Sequence, residues 1–344
     1  MALALSVLIL SFIITSTLVV PFIDLLYKLK FQRANQVTRD AFGMLTPIFD
    51  AFHKKKAGVP VGGGLLVIAV VSVLFICILP LLKYFGLEIT SNHKSVDAEI
   101  NILFFTLVSF GLLGLYDDVK KFFQIESSGF FGLRMKHKFI LELMLSLVIS
   151  MLIYTQLGIS FIYIPFIGTF ELGWMYIPFA TFTIVSFANA VNITDGLDGL
   201  ASGILMISLF GLWYLSSSIL DIPTSIFIAL LIGSLISFLY FNVFPARIFM
   251  GDVGSLAFGA TLAVMGLLLG KVIALLVIGA IFVIEIASSL LQLLSKKFTK
   301  KKLFPAAPFH LTLQKYGWEE PKIVQRAWLL QIMLTIFGVW LAVL

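Results

Sequence analysis

The stretch FFTLVSFGLLGLYDDVKK, residues 104–121, carries an apolar run into two adjacent aspartates, Asp117 and Asp118. Neighbouring carboxylates at the rim of a bilayer repel each other and resist desolvation. In a helix bundle such a pair is expected where a cation neutralises its charge or where the carboxylates take part in a reaction. Five carboxylates on loops of one membrane protein indicate a divalent metal and a phosphate-bearing substrate. The other three also lie at rims beside glycines: Asp195, Asp198 and Asp252.

The composition is that of a polytopic helical membrane protein. The 344 residues are 60% hydrophobic and 12% charged, whereas soluble domains carry about 25% charged residues. Long apolar runs recur throughout, and they predict membrane-spanning helices. We therefore expect an all-α fold with a single integral-membrane domain over residues 1–344. The apolar N-terminus lacks a basic region and a small-residue cleavage site, so we interpret it as a retained first span.

Ten segments are apolar enough to cross a bilayer, which takes about 20 residues. They are residues 3–24, 61–82, 100–115, 138–157, 173–191, 200–217, 223–242, 255–270, 272–294 and 324–344. The segment ISFIYIPFIGTFEL, residues 159–172, is instead rich in β-branched and aromatic residues and contains Pro165 and Gly168. We expect a small hairpin there, in a periplasmic loop.

The basic residues predict the orientation. All but three of the 24 Lys and Arg lie on odd-numbered loops, and the exceptions are Lys83, Lys94 and Lys271. By the positive-inside rule the odd loops are cytoplasmic and both termini lie outside. The motifs described below all fall on the odd loops or at the span ends that face them, which predicts a cytoplasmic site. The basic loops carry no nucleic-acid-binding module, so we expect no nucleic-acid partner.

The string NAVNITDGLDGL, residues 189–200, is the most specific motif. Asp195 and Asp198 are three residues apart and can share one helical face, and the glycine after each permits close approach of the backbone to a ligand. A solvated turn with a helix N-cap at one aspartate is the alternative, but capping explains only one of the two. The string also supplies amide donors and acceptors, from Asn189 and Asn192.

A second motif, FMGDVGS at residues 249–255, places Asp252 between two glycines. That position suits a metal ligand close to phosphate. Phe249 could stack on a nucleobase, although an aromatic side chain in a membrane protein more often faces lipid or the core. Asp117 and Asp118 precede two lysines, and Mg²⁺ prefers one or two carboxylates together with phosphate oxygens. An acidic–basic helix end with i,i+3 and i,i+4 pairs is the alternative there.

Three further features carry weaker signals. Lys136 and Lys138 either bind phosphate or extend to the interface. HKKKAGVPVGGG, residues 53–64, could bind a pyrophosphate through charge and backbone N–H groups, although basic residues before a span are common. His310 is a lone histidine, which is more often structural than catalytic. Two glutamates lie within predicted spans, where ionisable groups usually face the bundle interior: Glu142 and Glu285.

These motifs, in this order, resemble the polyprenyl-phosphate N-acetylhexosamine-1-phosphate transferases. NAVNITDGLDGL and FPARIFMGDVGSLAFG, residues 244–259, are highly specific for that superfamily. The resemblance covers nearly the whole chain. Three more strings favour the phospho-N-acetylmuramoyl-pentapeptide transferase branch (the MraY enzymes): GLRMKHKF at 132–139, EIASSLLQ at 285–292 and KYGWEEPKIVQRAW at 315–328.

The resemblance implies a fold, a reaction and a setting. It implies ten transmembrane helices, usually a homodimer, and a Mg²⁺-dependent site open to the cytoplasm of a bacterial plasma membrane. It also implies transfer of phospho-MurNAc-pentapeptide from UDP-MurNAc-pentapeptide to undecaprenyl phosphate. The products of this step of peptidoglycan synthesis would be lipid I and UMP.

Motif positions then assign roles by resemblance. The catalytic acidic residues, also expected to hold Mg²⁺, would be Asp117, Asp118 and Asp252. The nucleotide pocket would include Lys56, Asn192, Asp195, Asn242 and Phe249, with Asp195 facing the uracil and Phe249 stacked on it. Lys121 and Lys138 match phosphate-side lysines, and Gln292 matches a polar position near the sugar phosphate. The remaining substrate-binding candidates are Asn189, Asp198 and His310.

The chain departs from the family pattern at two places. A turn that usually reads Thr-Pro-Thr-Met-Gly-Gly is Val-Pro-Val-Gly-Gly-Gly at residues 59–64, and only the first of three consecutive histidines is kept, as His310. Arg247 is closer to the WecA-type branch. The donor could therefore be UDP-GlcNAc, with GlcNAc-1-phosphate passed to a polyprenyl phosphate. A cation transporter is the other class considered, but the charges lie at the rims and no internal repeat is evident.

Overall fold

Long apolar helices account for most of the described structure. The computed structural model describes residues 2–32, 56–123 and 135–344. Within these ranges the α-helices are α1 (Ala2–Lys28), α2 (Gly63–Tyr84), α3 (Val96–Phe123), α4 (Met135–Leu152), α5 (Tyr176–Thr194), α6 (Leu200–Ser218), α7 (Ile222–Asn242), α8 (Gly251–Leu268), α9 (Val272–Ile278), α10 (Ala280–Phe298), α11 (Phe309–Lys315) and α12 (Glu320–Val343). A π-helical turn, Ile153–Leu157, and a 3₁₀ turn, Gly173–Met175, flank the hairpin.

The predicted all-α membrane architecture is confirmed. Nine of the described helices are long and apolar enough to cross a bilayer, and α9 with α10 makes a tenth if the pair is taken as one span. The predicted hairpin is also confirmed, because β1 (Phe161–Ile164) pairs antiparallel with β2 (Gly168–Glu171). The side of the membrane on which each loop lies stays a prediction.

Helix α8 forms the centre of the bundle. All of its residues except Asp252 are buried, and α2, α3 and α5 pack against it. Glycines permit this contact. A Cβ at Gly64 of α2 would lie 2.2 Å from the Cα of Gly254, and a Cβ at Gly259 would lie 2.4 Å from the backbone oxygen of Phe187. Helices associate in lipid largely through such small-residue packing, because lipid supplies no hydrophobic drive between them.

The ninth predicted span is broken, and the prediction of one continuous helix there is wrong. Helices α9 and α10 meet at an angle of 79° around Gly279. A Cβ at this position would lie 2.5 Å from the Phe187 ring, so a larger residue would displace that ring. The Ile278 carbonyl at the break accepts hydrogen bonds from Gln331 Nε2 and from Ser208 Oγ, the latter at 3.1 Å. A helix broken inside a bilayer has to satisfy its backbone groups in this way.

Helix α3 extends beyond its predicted span of 100–115. It continues to Phe123, so Asp117 and Asp118 lie inside its last turns and not on a loop. Hydropathy falls at these polar residues, but an i,i+4 ion pair of 3.0 Å between Asp117 and Lys121 supports further helix. Asp252 likewise lies in the first turn of α8. Helix ends, rather than flexible loops, therefore hold the three candidate catalytic carboxylates.

Replacing Gly64 by valine should destabilise the bundle. The added side chain would meet the backbone of α8, which cannot move aside as a flexible side chain can. We expect a loss of about 1–3 kcal/mol or more, measured as a lower melting temperature of the purified protein in detergent. Ala69→Val, on the exposed face of the same helix, is the matched control and should change little. Equal melting temperatures for the two variants would contradict this account of α2–α8 packing.

Candidate active site

Asp117, Lys121, Lys138 and Asp252 form a closed ion cluster where α3, α4 and α8 meet. Lys121 Nζ lies 3.0 Å from Asp117 Oδ2 and 2.8 Å from Asp252 Oδ2. Lys138 Nζ lies 3.1 Å from Asp117 Oδ2 and also pairs with Asp252 Oδ2. Each ammonium group therefore bridges the same two carboxylate oxygens. We call these four residues the lysine–aspartate cluster, and all four were predicted to belong to the site.

The lysines allow the two carboxylates to lie close together. The side chains of Asp117 and Asp252 are only 2% and 13% exposed, so water does little to screen their repulsion. Lys121 reaches both from one helical turn beyond Asp117, and Lys138 reaches both from the start of α4. Positive charge on α3 and α4 thus stabilises negative charge on α3 and α8.

Asp118 is directed towards the first turn of α8. It is fully buried, and its Oδ2 accepts the Val253 N–H at 3.0 Å, where the helix dipole favours an anion. Gly251 has a φ of 78° and leaves room, since a Cβ there would lie 2.7 Å from Asp118 Oδ2. The other oxygen, Oδ1, is buried and has no hydrogen-bond partner among the described residues. Asp118 thus links α3 to α8 and keeps one oxygen available for a ligand.

The chemistry of these carboxylates fits Mg²⁺. This ion prefers carboxylate and phosphate oxygens, and Asp118 Oδ1 is a buried oxygen without a partner. Within the described part of the chain, however, Asp117, Asp118 and Asp252 do not place one oxygen each within 4.8 Å of the others. Binding of Mg²⁺ by all three would therefore need their side chains to move closer together. The ion itself stays a prediction.

Lys56 joins the turn between α5 and α6 to the start of α12. Its Nζ lies 2.7 Å from Asp198 Oδ1 and 2.6 Å from Glu320 Oε1, and it donates to the Gly196 carbonyl at 3.2 Å. Glu320 Oε1 also accepts the Asp198 N–H at 2.6 Å. The same ammonium group lies 5.8 Å from the centroid of the Phe249 ring. We call Lys56, Asp198 and Glu320 the Lys56 clamp.

Glu320 was not among the predicted site residues. It belongs to the Glu319–Glu320 pair just before a span. Acidic residues are scarce among the many lysines of the predicted cytoplasmic loops, and this scarcity was the one signal that such a residue pairs with a lysine of the site. Its contact with Lys56 joins residues 264 positions apart, and no motif spacing reports a pairing over that distance.

Residues 195–199 of the NAVNITDGLDGL string form a turn between α5 and α6, and the predicted shared helical face of Asp195 and Asp198 is wrong. Asp195 directly follows the last residue of α5. Asp198 precedes Gly199, which is the N-cap of α6 and has a φ of 78°. The alternative of a helix N-cap at either aspartate is also wrong. Asp198 Oδ2 accepts the Ala246 N–H at 2.9 Å instead, which ties this turn to the segment before α8. Gly199 adopts its positive φ without strain, which lets the chain turn into α6.

Asp195 lies within electrostatic reach of both groups of charges. Burial, with the Asp252 and Asp118 carboxylates adding to its effect and Lys56 opposing it, raises the pKa of Asp195 to about 7. A carboxyl that holds its proton near neutral pH can donate a hydrogen bond as well as accept one. Lys56 also lies beside Phe249, three residues before Asp252, so the Lys56 clamp and the lysine–aspartate cluster are neighbouring parts of one candidate site.

Two predicted asparagines connect the neighbouring helices. Asn189 Nδ2 donates to Glu142 Oε2 at 2.5 Å, which accounts for the first of the two glutamates within spans. Asn192 Nδ2 donates to Ser255 Oγ at 3.0 Å and links α5 to α8. Both side chains therefore position helices that carry site residues. Direct contact with substrate stays a prediction for each of them.

Two other predicted substrate-binding residues form hydrogen bonds within the protein. Asn242 accepts a hydrogen bond from Ser202 Oγ at 2.6 Å and donates to the Ile248 carbonyl at 2.9 Å, which shapes the segment that presents Phe249. Gln292 Oε1 accepts the N–H groups of residues 303 and 304, both at 2.9 Å. These contacts give both side chains a structural role, and their predicted contact with substrate is untested.

His310 is oriented by a buried glutamate. Its Nδ1 lies 3.0 Å from Glu285 Oε2, and its backbone N–H donates to Glu285 Oε1 at 3.2 Å. Its Nε2 is buried without a hydrogen-bond partner in the described ranges and faces Gly196, where a Cβ would lie 2.6 Å away. Glu285 therefore directs the imidazole towards the turn between α5 and α6. Leu311 and Thr312, which replace the family's other two histidines, are buried.

The glycine-rich turn does not present its N–H groups to a ligand. Gly62 and Gly63 donate to the Phe249 carbonyl at 3.1 and 2.8 Å, and Gly64 donates to the Met250 carbonyl at 2.9 Å. The prediction that these groups bind a pyrophosphate is therefore wrong. The turn instead fixes the backbone on either side of Phe249. Residues 53–55, the start of this motif, and 132–134, the start of GLRMKHKF, lie outside the described ranges.

Comparison with known proteins decides the family. A model of Glycosyl transferase family 4 matches residues 100–270. The chain is 35% identical to the phospho-N-acetylmuramoyl-pentapeptide-transferase of Oceanobacillus iheyensis, over 85% of this chain and 86% of that protein. It is 38% identical to the Clostridium perfringens protein of that name (92% and 91% covered) and 34% identical to the Caldicellulosiruptor bescii one (93% and 91%). The chain belongs to the phospho-N-acetylmuramoyl-pentapeptide-transferase family.

Membership of this family confirms the branch that the sequence motifs favoured and makes the chain a transferase. It also weighs against the WecA-type alternative. Arg247, which suggested that alternative, is exposed and lies 5.2 Å from the Phe241 ring, and its N–H donates to the Phe241 carbonyl. Arg247 therefore packs on its own segment. Together with the apolar helices, the family makes this a multi-pass membrane protein.

The raised pKa of Asp195 predicts a pH-dependent stability. The folded-state pKa of about 7 exceeds the 3.8 of an unperturbed carboxyl, so the folded protein holds this proton more tightly and loses stability as pH rises from about 4 to about 7. Asp195→Asn should remove that loss. Its melting temperature relative to wild type should increase steadily over this range. Asp97→Asn, at an 80% exposed aspartate, should show a constant difference, and a flat profile for Asp195→Asn would contradict the assignment.

Proposed function

We propose that this chain transfers phospho-MurNAc-pentapeptide from UDP-MurNAc-pentapeptide to undecaprenyl phosphate, with lipid I and UMP as products. The observation that carries the proposal is the convergence of Asp117, Asp118 and Asp252 with Lys121 and Lys138 at one end of the bundle. Relatives that match over most of their length are named for this transfer.

The lysine–aspartate cluster suits a diphosphate. Lys121 and Lys138 converge on the same two carboxylate oxygens, so both can turn towards oxygens of one bound diphosphate. Mg²⁺ held by the three aspartates would supply further neutralisation of the charge that develops on the leaving UMP. In phosphoryl transfer, positioning and charge neutralisation are the main catalytic contributions.

The chemical step is proposed as a direct displacement. An oxygen of the lipid phosphate attacks the β-phosphorus, and the bond from this phosphorus to the oxygen that leads to UMP breaks. Asp117 accepts the proton of the attacking phosphate if it carries one. The alternative is a covalent intermediate on Asp252.

The Lys56 clamp and Phe249 are proposed to hold the nucleotide. The half-buried Phe249 ring has the Lys56 ammonium group on one side, and base stacking on such a ring stabilises a complex by about 1–3 kcal/mol. The charges of Lys56 and of the Asp252 and Asp118 carboxylates all act on Asp195. This is expected of a residue that faces the uracil while the diphosphate contacts the lysines of the lysine–aspartate cluster.

The proposed setting is a bacterial plasma membrane with this site on the cytoplasmic side. The charge distribution supports that orientation, because the loops that border the site hold most of the basic residues. A cytoplasmic nucleotide sugar and a lipid acceptor would then meet at the membrane surface. The homodimer implied by the family resemblance stays a prediction.

A donor panel tests the proposed reaction. Purified protein with undecaprenyl phosphate is given UDP-MurNAc-pentapeptide or UDP-GlcNAc, with and without Mg²⁺, and UMP is measured. We expect UMP from the first donor only, and only with Mg²⁺. UMP from UDP-GlcNAc alone would support the WecA-type alternative, and UMP release without any lipid acceptor would support the covalent route through Asp252.

Asp117→Asn, Asp118→Asn and Asp252→Asn should each reduce the rate of UMP release by about 100-fold or more, as loss of a preorganised charged group does in other enzymes. Asparagine keeps the shape of the side chain and removes its charge. Asp97→Asn, at the other end of α3, is the matched control and should retain full activity. Turnover near that of wild type in any one of the three variants would exclude its catalytic role.

Glu320→Gln should weaken binding of the nucleotide donor more than it slows the chemical step. The variant loses the charge that holds Lys56 in the clamp, while the lysine–aspartate cluster is unchanged. We expect the KM for UDP-MurNAc-pentapeptide to rise about 3–10-fold, equivalent to about 1 kcal/mol, with a smaller change in kcat. Glu319→Gln, its exposed neighbour, serves as the control. A fall in kcat with unchanged KM would place Glu320 outside the nucleotide pocket.

A further inference from the structure

His93, Glu99 and Asp221 converge at the end of the bundle opposite the candidate active site. Each places one possible ligand atom within 4.8 Å of the other two, and among the described residues they are the one set of three that does so. Glu99 lies in the first turn of α3, whereas Asp117 lies in its last turns. At 1.5 Å per residue these two positions are about 27 Å apart. The convergence is therefore separate from the lysine–aspartate cluster.

Two atoms of this set are buried and lack hydrogen-bond partners in the described ranges. They are His93 Nε2 and Asp221 Oδ2, which lie 3.9 Å apart. The side chain of His93 is 9% exposed and that of Asp221 is 0% exposed. Buried polar atoms nearly always have partners, so two that face each other point to a ligand between them. Tetrahedral ligands with bonds of about 2.0 Å lie about 3.3 Å apart, so a small side-chain movement would let one ion contact both atoms.

Surrounding hydroxyl groups hold the acidic side chains in place. Thr224 Oγ1 donates to Glu99 Oε1 at 2.6 Å, and Ser91 Oγ donates to Glu99 Oε2 at 2.5 Å. The Thr224 N–H donates to Asp221 Oδ1 at 3.3 Å. A carboxylate oxygen that accepts one hydrogen bond keeps a second lone pair. Such outer contacts orient ligands in metal sites.

The two loops that carry the set are bound to each other. Thr90 Oγ1 donates to the Leu220 carbonyl at 2.9 Å, and the Ile222 N–H donates to the Thr90 carbonyl at 3.0 Å. Asn92 Nδ2 donates to the Ile219 carbonyl at 2.7 Å. The loop before α3 and the loop before α7 thus hold His93 and Asp221 together without help from a ligand.

Two carboxylates and an imidazole share this buried region. Burial lowers the pKa of His93, which leaves a neutral imidazole whose nitrogen can act as a ligand. Burial and the nearby Glu99 carboxylate together raise the pKa of Asp221 to about 8, so its proton has to leave when a cation binds. A divalent cation would relieve both effects, since two carboxylates and one neutral imidazole balance its charge.

We propose that His93, Glu99 and Asp221 bind a divalent transition-metal cation, with Zn²⁺ the best match. One imidazole nitrogen and two carboxylate oxygens are ligands that Zn²⁺ accepts, and three protein ligands leave a fourth position for water. The ion would tie the loop before α3, the first turn of α3 and the start of α7 to one another. Its role is structural and does not depend on the proposed transfer reaction.

The test measures Zn²⁺ binding to the purified full chain in detergent, with a purification tag that contains no histidine and with millimolar Mg²⁺ present. We expect one tightly bound Zn²⁺ per chain, and His93→Ala, Glu99→Gln and Asp221→Asn should each weaken binding at least about 100-fold. Asp97→Asn lies near Glu99 on α3 but points to solvent, and Asp252→Asn alters the candidate active site. Both should bind Zn²⁺ as wild type does.

Two results would overturn the inference. Zn²⁺ binding that survives all three substitutions would place the ion elsewhere. No binding of Zn²⁺, Co²⁺ or Mn²⁺ by the wild type would show that Asp221 and Glu99 share a proton instead. Glu99→Gln and Asp221→Asn preserve side-chain shape, and melting temperatures in EDTA show whether each variant folds. UMP release, measured separately, distinguishes failure of this inference from failure of the proposed reaction.

Discussion

The pairing of two buried aspartates with two lysines, where α3, α4 and α8 meet, is the interaction on which the rest of the candidate site depends. Charges are costly inside an apolar bundle unless each has a partner. Asp117 and Asp252 satisfy this requirement by sharing Lys121 and Lys138. Breaking such a buried pair by removing one partner typically costs about 3–5 kcal/mol of stability. The contacts that bring these helix ends together therefore also fix the positions of the candidate catalytic side chains.

Close backbone contact makes this pairing possible. A Cβ at Gly114 of α3 would lie 2.1 Å from the Asp252 carbonyl, just as one at Gly64 would meet Gly254. The absence of side chains at these glycines lets α2 and α3 approach the first turn of α8. One small-residue surface therefore explains both why α8 is buried and why aspartates from different helices lie near one another.

Hydropathy and motif composition predicted the membrane-spanning helices, the hairpin and the residues of the lysine–aspartate cluster, because these signals are local. The 79° bend at Gly279 was not predictable, since a hydropathy window averages across a single glycine. The use of the Gly62–Gly64 N–H groups and the pairing of Lys56 with Glu320 depend on residues far apart in the chain. Spacing within a motif carries no information about such partners.

The Lys56 clamp has a consequence for the lipid environment. Glu320 begins α12, a helix whose apolar surface is largely exposed and so faces the acyl chains. Helices respond to hydrophobic mismatch by tilting, and a tilt of α12 would displace the carboxylate that fixes Lys56 and the Asp198 N–H. The acyl-chain length of the surrounding bilayer should thus affect the position of Lys56 through the single side chain of Glu320.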